Sequence, residues 1–176
     1  CVIFFVWWGA HAYALEGAPV PPLLITEIGA HETSDAEWIE IFNASAEPFD
    51  FIGAKFFEDG SNHGVSVFRG SAVIGAGEYA VIANKAEVFA ASHSDYAGTI
   101  FDSSWGSLAE SGEEIGIKNA AGEFLEQCTY PALVSGEGSG SLERVDAANW
   151  KRRIEGDSLG VAYTAAEPLP TEPAPV

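Results

Sequence analysis

Between Pro22 and about Val145 the chain breaks every few residues into short apolar or alternating runs. Gly, Asn, Asp and Ser separate them, and no long helical period is sustained. A strand sends successive side chains to opposite faces, so runs this short are buried only by stacking sheets, which is the pattern of a β-sandwich or barrel. Strands are expected near Leu23–Ile28, Glu37–Asn43, Phe51–Glu58, Val65–Phe68, Glu78–Ala83, Thr99–Phe101, Glu114–Lys118, Phe124–Tyr130 and Ser141–Arg144. Turn chemistry divides them at Glu58-Asp59-Gly60-Ser61-Asn62, at Gly75-Ala76-Gly77 and at Lys118-Asn119-Ala120-Ala121-Gly122. The apolar run around Val81 predicts a strand covered on both faces. Lys85–His93 is the one stretch suited to a short helix, a crossover with Val88 and Phe89 toward the core.

With 176 residues, 47% of them hydrophobic, the chain has material for one well-buried core with appendages. The expected organisation is a truncated signal-peptide-like leader at 1–14, a short linker at 15–21, the sandwich at 22–150, a C-terminal extension at 151–164 and a Pro/Glu-rich linker at 165–176. The leader carries no Asp, Glu, Lys or Arg. Its apolar run Val2–Trp8 precedes Ala12-Tyr13-Ala14, the small-x-small pattern of a signal-peptidase site. Export to the extracellular space or cell surface, in a prokaryotic setting, is the expectation; the end of a membrane anchor is the alternative for this stretch. The run is shorter than the ~20 residues a span needs, and no membrane span is expected in the mature domain. Cys128 is then the single mature thiol, so no internal disulfide holds the fold, and its strand-like surroundings predict an inert side chain.

Eight basic against 26 acidic residues give a net charge of −18. Such a surface repels phosphates, and Lys151-Arg152-Arg153 is the one basic cluster, which argues against nucleic acid as a partner. The same charge favours solubility, a cation or a basic partner.

Leu24-Ile25-Thr26-Glu27-Ile28 followed by Glu37-Trp38-Ile39-Glu40-Ile41-Phe42-Asn43 resembles the opening of the lamin tail domain. The likeness continues through Phe49–Asp59, Ile74–Ile82, Gly112–Tyr130 and Gly140–Arg144, in order and at plausible spacing, over roughly Pro22–Trp150. The resemblance implies an immunoglobulin-like sandwich. It also implies that Glu27, Glu37, Trp38, Glu40 and Asn43 are fold-motif residues whose polar groups tie backbone at strand ends. Coiled-coil heptads are absent and the start is export-like, so the exported prokaryotic branch of the family is the nearer analogy, where such domains are accessory modules.

Paired carboxylates can act as general acid and base, but here the structural reading is preferred to a catalytic one, and no catalytic residue is expected. The acidic loops offer the hard oxygen ligands calcium prefers, with Glu58, Asp59, Asn62, Glu113 and Glu114 as candidates, although no EF-hand spacing occurs. His11, His31, His63 and His93 show no zinc spacing, and no Gly-x-Ser-x-Gly elbow or placed His activates a serine. Trp105, flanked by serines and glycine, is the candidate platform for stacking on a sugar. The function expected is a non-catalytic interaction or structural module of a larger exported or cell-surface protein, with an unidentified protein or glycan partner. The alternative is a calcium-assisted glycan-binding or adhesion module.

Overall fold

The computed structural model describes residues 22–161; the stretches expected as leader (1–14), linker (15–21) and Pro/Glu-rich tail (165–176), with the end of the expected C-terminal extension, lie outside the described residues. In chain order the first half contains β1 (Leu23–Ile28), a 3-10 turn (Ser34–Ala36), β2 (Trp38–Asn43), β3 (Phe49–Asp50), β4 (Lys55–Glu58), β5 (Ser61–Gly64), β6 (Ser66–Arg69) and β7 (Val73–Ile74). The second half contains β8 (Tyr79–Ala83), α1 (Ala86–Ser92), β9 (Thr99–Asp102), β10 (Glu114–Lys118), β11 (Phe124–Thr129), β12 (Leu142–Arg144) and β13 (Trp150–Arg152). A seven-stranded sheet, β13-β12-β1-β2-β8-β9-β6, faces a four-stranded sheet, β11-β10-β4-β5, and β3 pairs with β7 at the side. This is an all-β, immunoglobulin-like sandwich. Consecutive β5 and β6 belong to different sheets, so the chain turns the corner at Val65.

Alternation explains the main core. Ile39 and Ile41 of β2, Ala80 and Ile82 of β8, Phe56 of β4, and Ile115 and Ile117 of β10 meet between the sheets with Leu23, Ile25, Phe101 and Tyr130. Each large aliphatic fully buried there contributes about 1.5–3 kcal/mol. The opposite parity of the large sheet is also covered. Trp38, Val81, Ala83 and Ile100 form a second cluster with Ala86 and Phe89 of α1, and Leu159 packs against it. Val81 is thus roofed on its own side while Ile82 enters the main core, as its apolar run predicts. Helix α1 joins β8 to β9, which are parallel neighbours, so it is the crossover that such a pair requires.

The observed strands follow the expected ones closely, with four differences, the first being the short pair β3–β7, which no expected strand covers. The expected strand at Phe51–Glu58 is confined to β4, because Phe51-Ile52-Gly53 turns and Gly53 adopts φ 77°. The turn after Glu58 is tighter than expected. Asp59 and Gly60 alone take positive φ, 41° and 81°, and Ser61 already begins β5. Finally, Trp150–Arg152 forms an edge strand on β12, so the sheet runs past the sandwich boundary drawn at 150.

Candidate functional site on the outer face of the large sheet

Strict alternation from Leu23 and Ile25 would send Glu27 into the main core. A register shift between Ile25 and Glu27 prevents this: the bulge returns Ile28 to the core and places Glu27 directly opposite Glu40 of β2. Two glutamates, each 1% exposed, therefore face one another on the sheet side that carries Trp38 and Val81. Unscreened like charges so placed are destabilising, so each carboxylate needs its own donors.

The donors come largely from the segment after β13. Glu27 accepts the Ser158 N–H at 2.8 Å, the Ser158 hydroxyl at 2.9 Å and the Ser141 hydroxyl. Glu40 accepts the Gly160 N–H at 2.5 Å and the Thr26 hydroxyl at 2.8 Å. Asp157 reaches across to His93 at 3.2 Å, and Leu159 enters the second apolar cluster. Residues 157–160 thus form a strap over the carboxylate pair, part of what the sequence reading set aside as an extension. Burial raises both acids, Glu40 to about 7. The hydrogen bonds from Gly160 and Thr26 oppose the rise, and the charges of Glu27 and Asp157 add to it. Beside the strap a cleft of about 560 Å³ opens, bounded by Tyr79, His93, Asp95, Tyr96, Asp157 and Gly160 among others.

The remaining motif residues hold other loops. Glu37 enters β2 on the core parity and accepts from Trp105 Nε1 at 2.8 Å, Ser107 Oγ at 2.8 Å and Leu108 N at 2.9 Å. Burial raises its carboxyl above the ordinary range. At the far end of β2, Asn43 Nδ2 donates to the carbonyls of Glu47, Ile74 and Gly75, and its Oδ1 accepts from the Ser45 amide and hydroxyl. Trp38 lies beneath α1, edge-on to Phe89 and His93 with ring centroids 5.9 Å away in each case.

Trp105 requires a correction. It is 8% exposed, packs on Phe56 with ring centroids 4.8 Å apart, and spends its N–H on Glu37. The flanking serines and glycine suggested a loop tip, whereas Glu37 draws the loop inward and removes the ring from solvent. Nor do the proposed calcium residues assemble around one point. Glu58 faces His63 at 2.9 Å. Asp59 occupies the β4–β5 turn, and Asn62 pairs with Phe57 along β5. Glu113 accepts from the Ala109 amide and the Tyr130 hydroxyl, each at 2.7 Å, while Glu114 is exposed at the start of β10. Among the described residues no group of three or more His, Cys, Asp or Glu is placed to hold a metal ion. Cys128 is a free thiol pushed up to about 12 by burial, the opposite of nucleophile activation.

One arrangement escaped the sequence reading. Ser92 Oγ lies 2.9 Å from His93 Nδ1, and His93 Nε2 faces Asp157, so a serine, a histidine and an aspartate are linked beside the cleft. The serine sits in the last turn of α1, where its hydroxyl also reaches the carbonyls of Val88 and Phe89. A developing oxyanion there would meet the negative end of the helix rather than a set of N–H donors. The geometry fits a helix C-terminus closed by side chains.

Among the described residues no helix is long and apolar enough to cross a membrane. No curated protein matches the chain. The family model described as Lamin Tail Domain matches residues 16–132, taking in the strands from β1 to β11 and stopping before β12, β13 and the strap. That family is a protein-interaction or structural domain type, in general non-enzymatic. With its motif glutamates, tryptophan and asparagine all inside the matched region and the sandwich built around them, the chain belongs to the lamin tail domain family.

Proposed function

We propose that this chain is a non-catalytic interaction or structural module of a larger exported or cell-surface protein, presenting its loops and sheet edges to a protein partner. The observation that carries the reading is how the polar motif residues are used. Glu27, Glu37, Glu40 and Asn43 have their oxygens or amides spent on loop and strap donors and acceptors. No carboxylate of that set is left facing an open cleft with a nucleophile beside it. The functional surface then belongs to what the anchored loops display, as is general for sandwiches whose scaffold is rigid.

The test is a panel of ester, glycoside and phosphodiester substrates incubated with the purified chain, Ser92→Ala and Glu40→Gln. Turnover at the blank level throughout is the expected result. Turnover that disappears in either variant would overturn the reading and make the Ser92–His93–Asp157 chain or the carboxylate pair catalytic. For the exported context, the mature N-terminus is expected at Leu15 when the chain is produced with its leader in a secreting host. Retention of residues 1–14 would argue against cleavage there.

A further inference from the structure

We propose that the outer face of β1 and β2 is a groove that captures a chain segment, filled here by the protein's own strap at Asp157–Gly160 and vacated as the pH rises. The inference goes beyond the proposed function and does not depend on which partner the module serves.

The groove has a floor, two anchors and a wall. Trp38, Val81 and Ile100 are the apolar floor, and Leu159 packs onto their cluster. Glu27 and Glu40 are the anchors, 1% exposed each, and they face the strap's backbone N–H groups at Ser158 and Gly160. Helix α1 is the wall, with His93 at its end meeting Asp157. A segment that fits must therefore offer a hydroxyl, an apolar side chain and an N–H on a residue that takes positive φ, as Gly160 does at 73°, in that order. Ser158-Leu159-Gly160 supplies this order.

Occupancy and ionisation oppose each other. A docked strap keeps water from two carboxylates that stand opposite one another, and the charged or titratable groups around them do little to neutralise that charge. From β1 and β2 there are Glu27 and Glu40 themselves; from the strap, Asp157; from the end of α1, His93; from the loop after it, Tyr96, whose carbonyl takes the guanidinium of Arg69 from β6. His31 and Arg152 act one layer further out, on the Asp157 side. Acid thus favours docking through Glu40, whereas alkali charges it. Glu40 titrates at about 7 under the strap, and if release let it return fully to its ordinary 4.5, docking would weaken by at most about tenfold between pH 6 and pH 8. Release uncovers the Leu159 seat on the Trp38 cluster, an apolar surface suited to a partner's segment of the same pattern.

The measurement is amide hydrogen exchange of the whole chain at pH 6, 7 and 8, corrected for the intrinsic pH dependence of exchange, read at Ser158–Gly160 and at β2 as an internal reference. The expected result is protection at the strap that falls by about three- to tenfold from pH 6 to pH 8 while β2 is unchanged, with little pH dependence in Glu40→Gln. Strap protection that is flat in the native chain, or that falls equally in Glu40→Gln, overturns the proposal. Should the variant fail to fold, carbon-13 titration of the Glu40 carboxyl in the native chain decides the matter. A midpoint coinciding with the loss of strap protection supports it, and a midpoint more than about one pH unit away refutes it.

Discussion

Replacing Glu37 with alanine should be among the most damaging single changes in this domain, and replacing it with glutamine among the mildest. The carboxylate is 2% exposed and gathers three donors, Trp105 Nε1, Ser107 Oγ and Leu108 N. Alanine leaves all three in the interior without an acceptor. At about 1–3 kcal/mol for each orphaned group, with partial recovery by the rotatable serine hydroxyl, the loss is on the order of 3–6 kcal/mol. That is a large part of the roughly 5–15 kcal/mol by which a domain is stable. Glutamine keeps a carbonyl where Oε2 now receives both N–H donors, and Ser107 can turn its hydroxyl from donor to acceptor toward the new amide. It also removes a charge whose burial already raises the Glu37 carboxyl, so the change should lie within about 1 kcal/mol of the native chain. Urea unfolding followed by circular dichroism, with the slope held common, measures both. An alanine variant within about 1 kcal/mol of native, or a glutamine variant as damaged as the alanine one, would refute the view that Glu37 acts by satisfying the 105–108 loop.

Four further outcomes are expected. Thermal stability should be higher at pH 5.5 than at pH 8.5: the folded Glu40 lies above its ordinary 4.5, so the folded chain holds a proton the unfolded chain has released. The stability this confers is complete below about 4.5 and is lost as pH rises through about 7, on the order of 3 kcal/mol or several degrees of Tm; scanning calorimetry across that range checks it, and a Tm that rises with pH contradicts it. Arg144→Met should cost about 3–5 kcal/mol, because Glu126 at 3% exposure would lose its cation while the Ile25 and Ala147 carbonyls lose their donors, whereas the double variant with Glu126→Leu should recover much of the loss in the same urea assay. Gly29→Ala should destabilise by about 1–3 kcal/mol, since a Cβ there would lie 2.4 Å from Nε1 of the buried Trp38; an unchanged midpoint would mean the indole moves freely. Calcium should leave the Tm of chelator-treated protein unchanged, as Glu58 and Glu113 already serve His63, Ala109 and Tyr130; a rise of several degrees at millimolar calcium would reveal ligands this arrangement does not suggest.

Where local pattern and tertiary demand agree, the sequence reads directly into the fold. The alternation of Ile39 and Ile41, the two-sided burial of Val81 and the short crossover at 86–92 are cases of this kind. The site was legible in its residues but not in its geometry. Glu27 and Glu40 stood out as acids in apolar strands, yet their opposition depends on a bulge after Ile25, and no residue there, Gly or Asn, announces one. Trp105 looked like a loop-tip aromatic because serines and glycine surround it, and its burial follows from a glutamate 68 residues away. The strap was hidden for the opposite reason. Residues 156–160 show no periodicity, and two of the strap's contacts with the glutamates come from the amides of Ser158 and Gly160, main-chain donors that leave no signature in composition.

The way β2 anchors its surroundings bears on how such a domain can diversify. Asn43 grips the carbonyls of Glu47, Ile74 and Gly75, Glu37 grips the amide of Leu108, and Glu40 that of Gly160. These grips act on main chain, which almost every amino acid provides in the same form. Side chains that point outward from the same loops can then be exchanged while the clamp is undisturbed. Six consecutive strand positions and the glutamate before them thus separate the inheritance of shape from the inheritance of specificity, so one framework can be retuned to a new neighbour by loop substitutions alone.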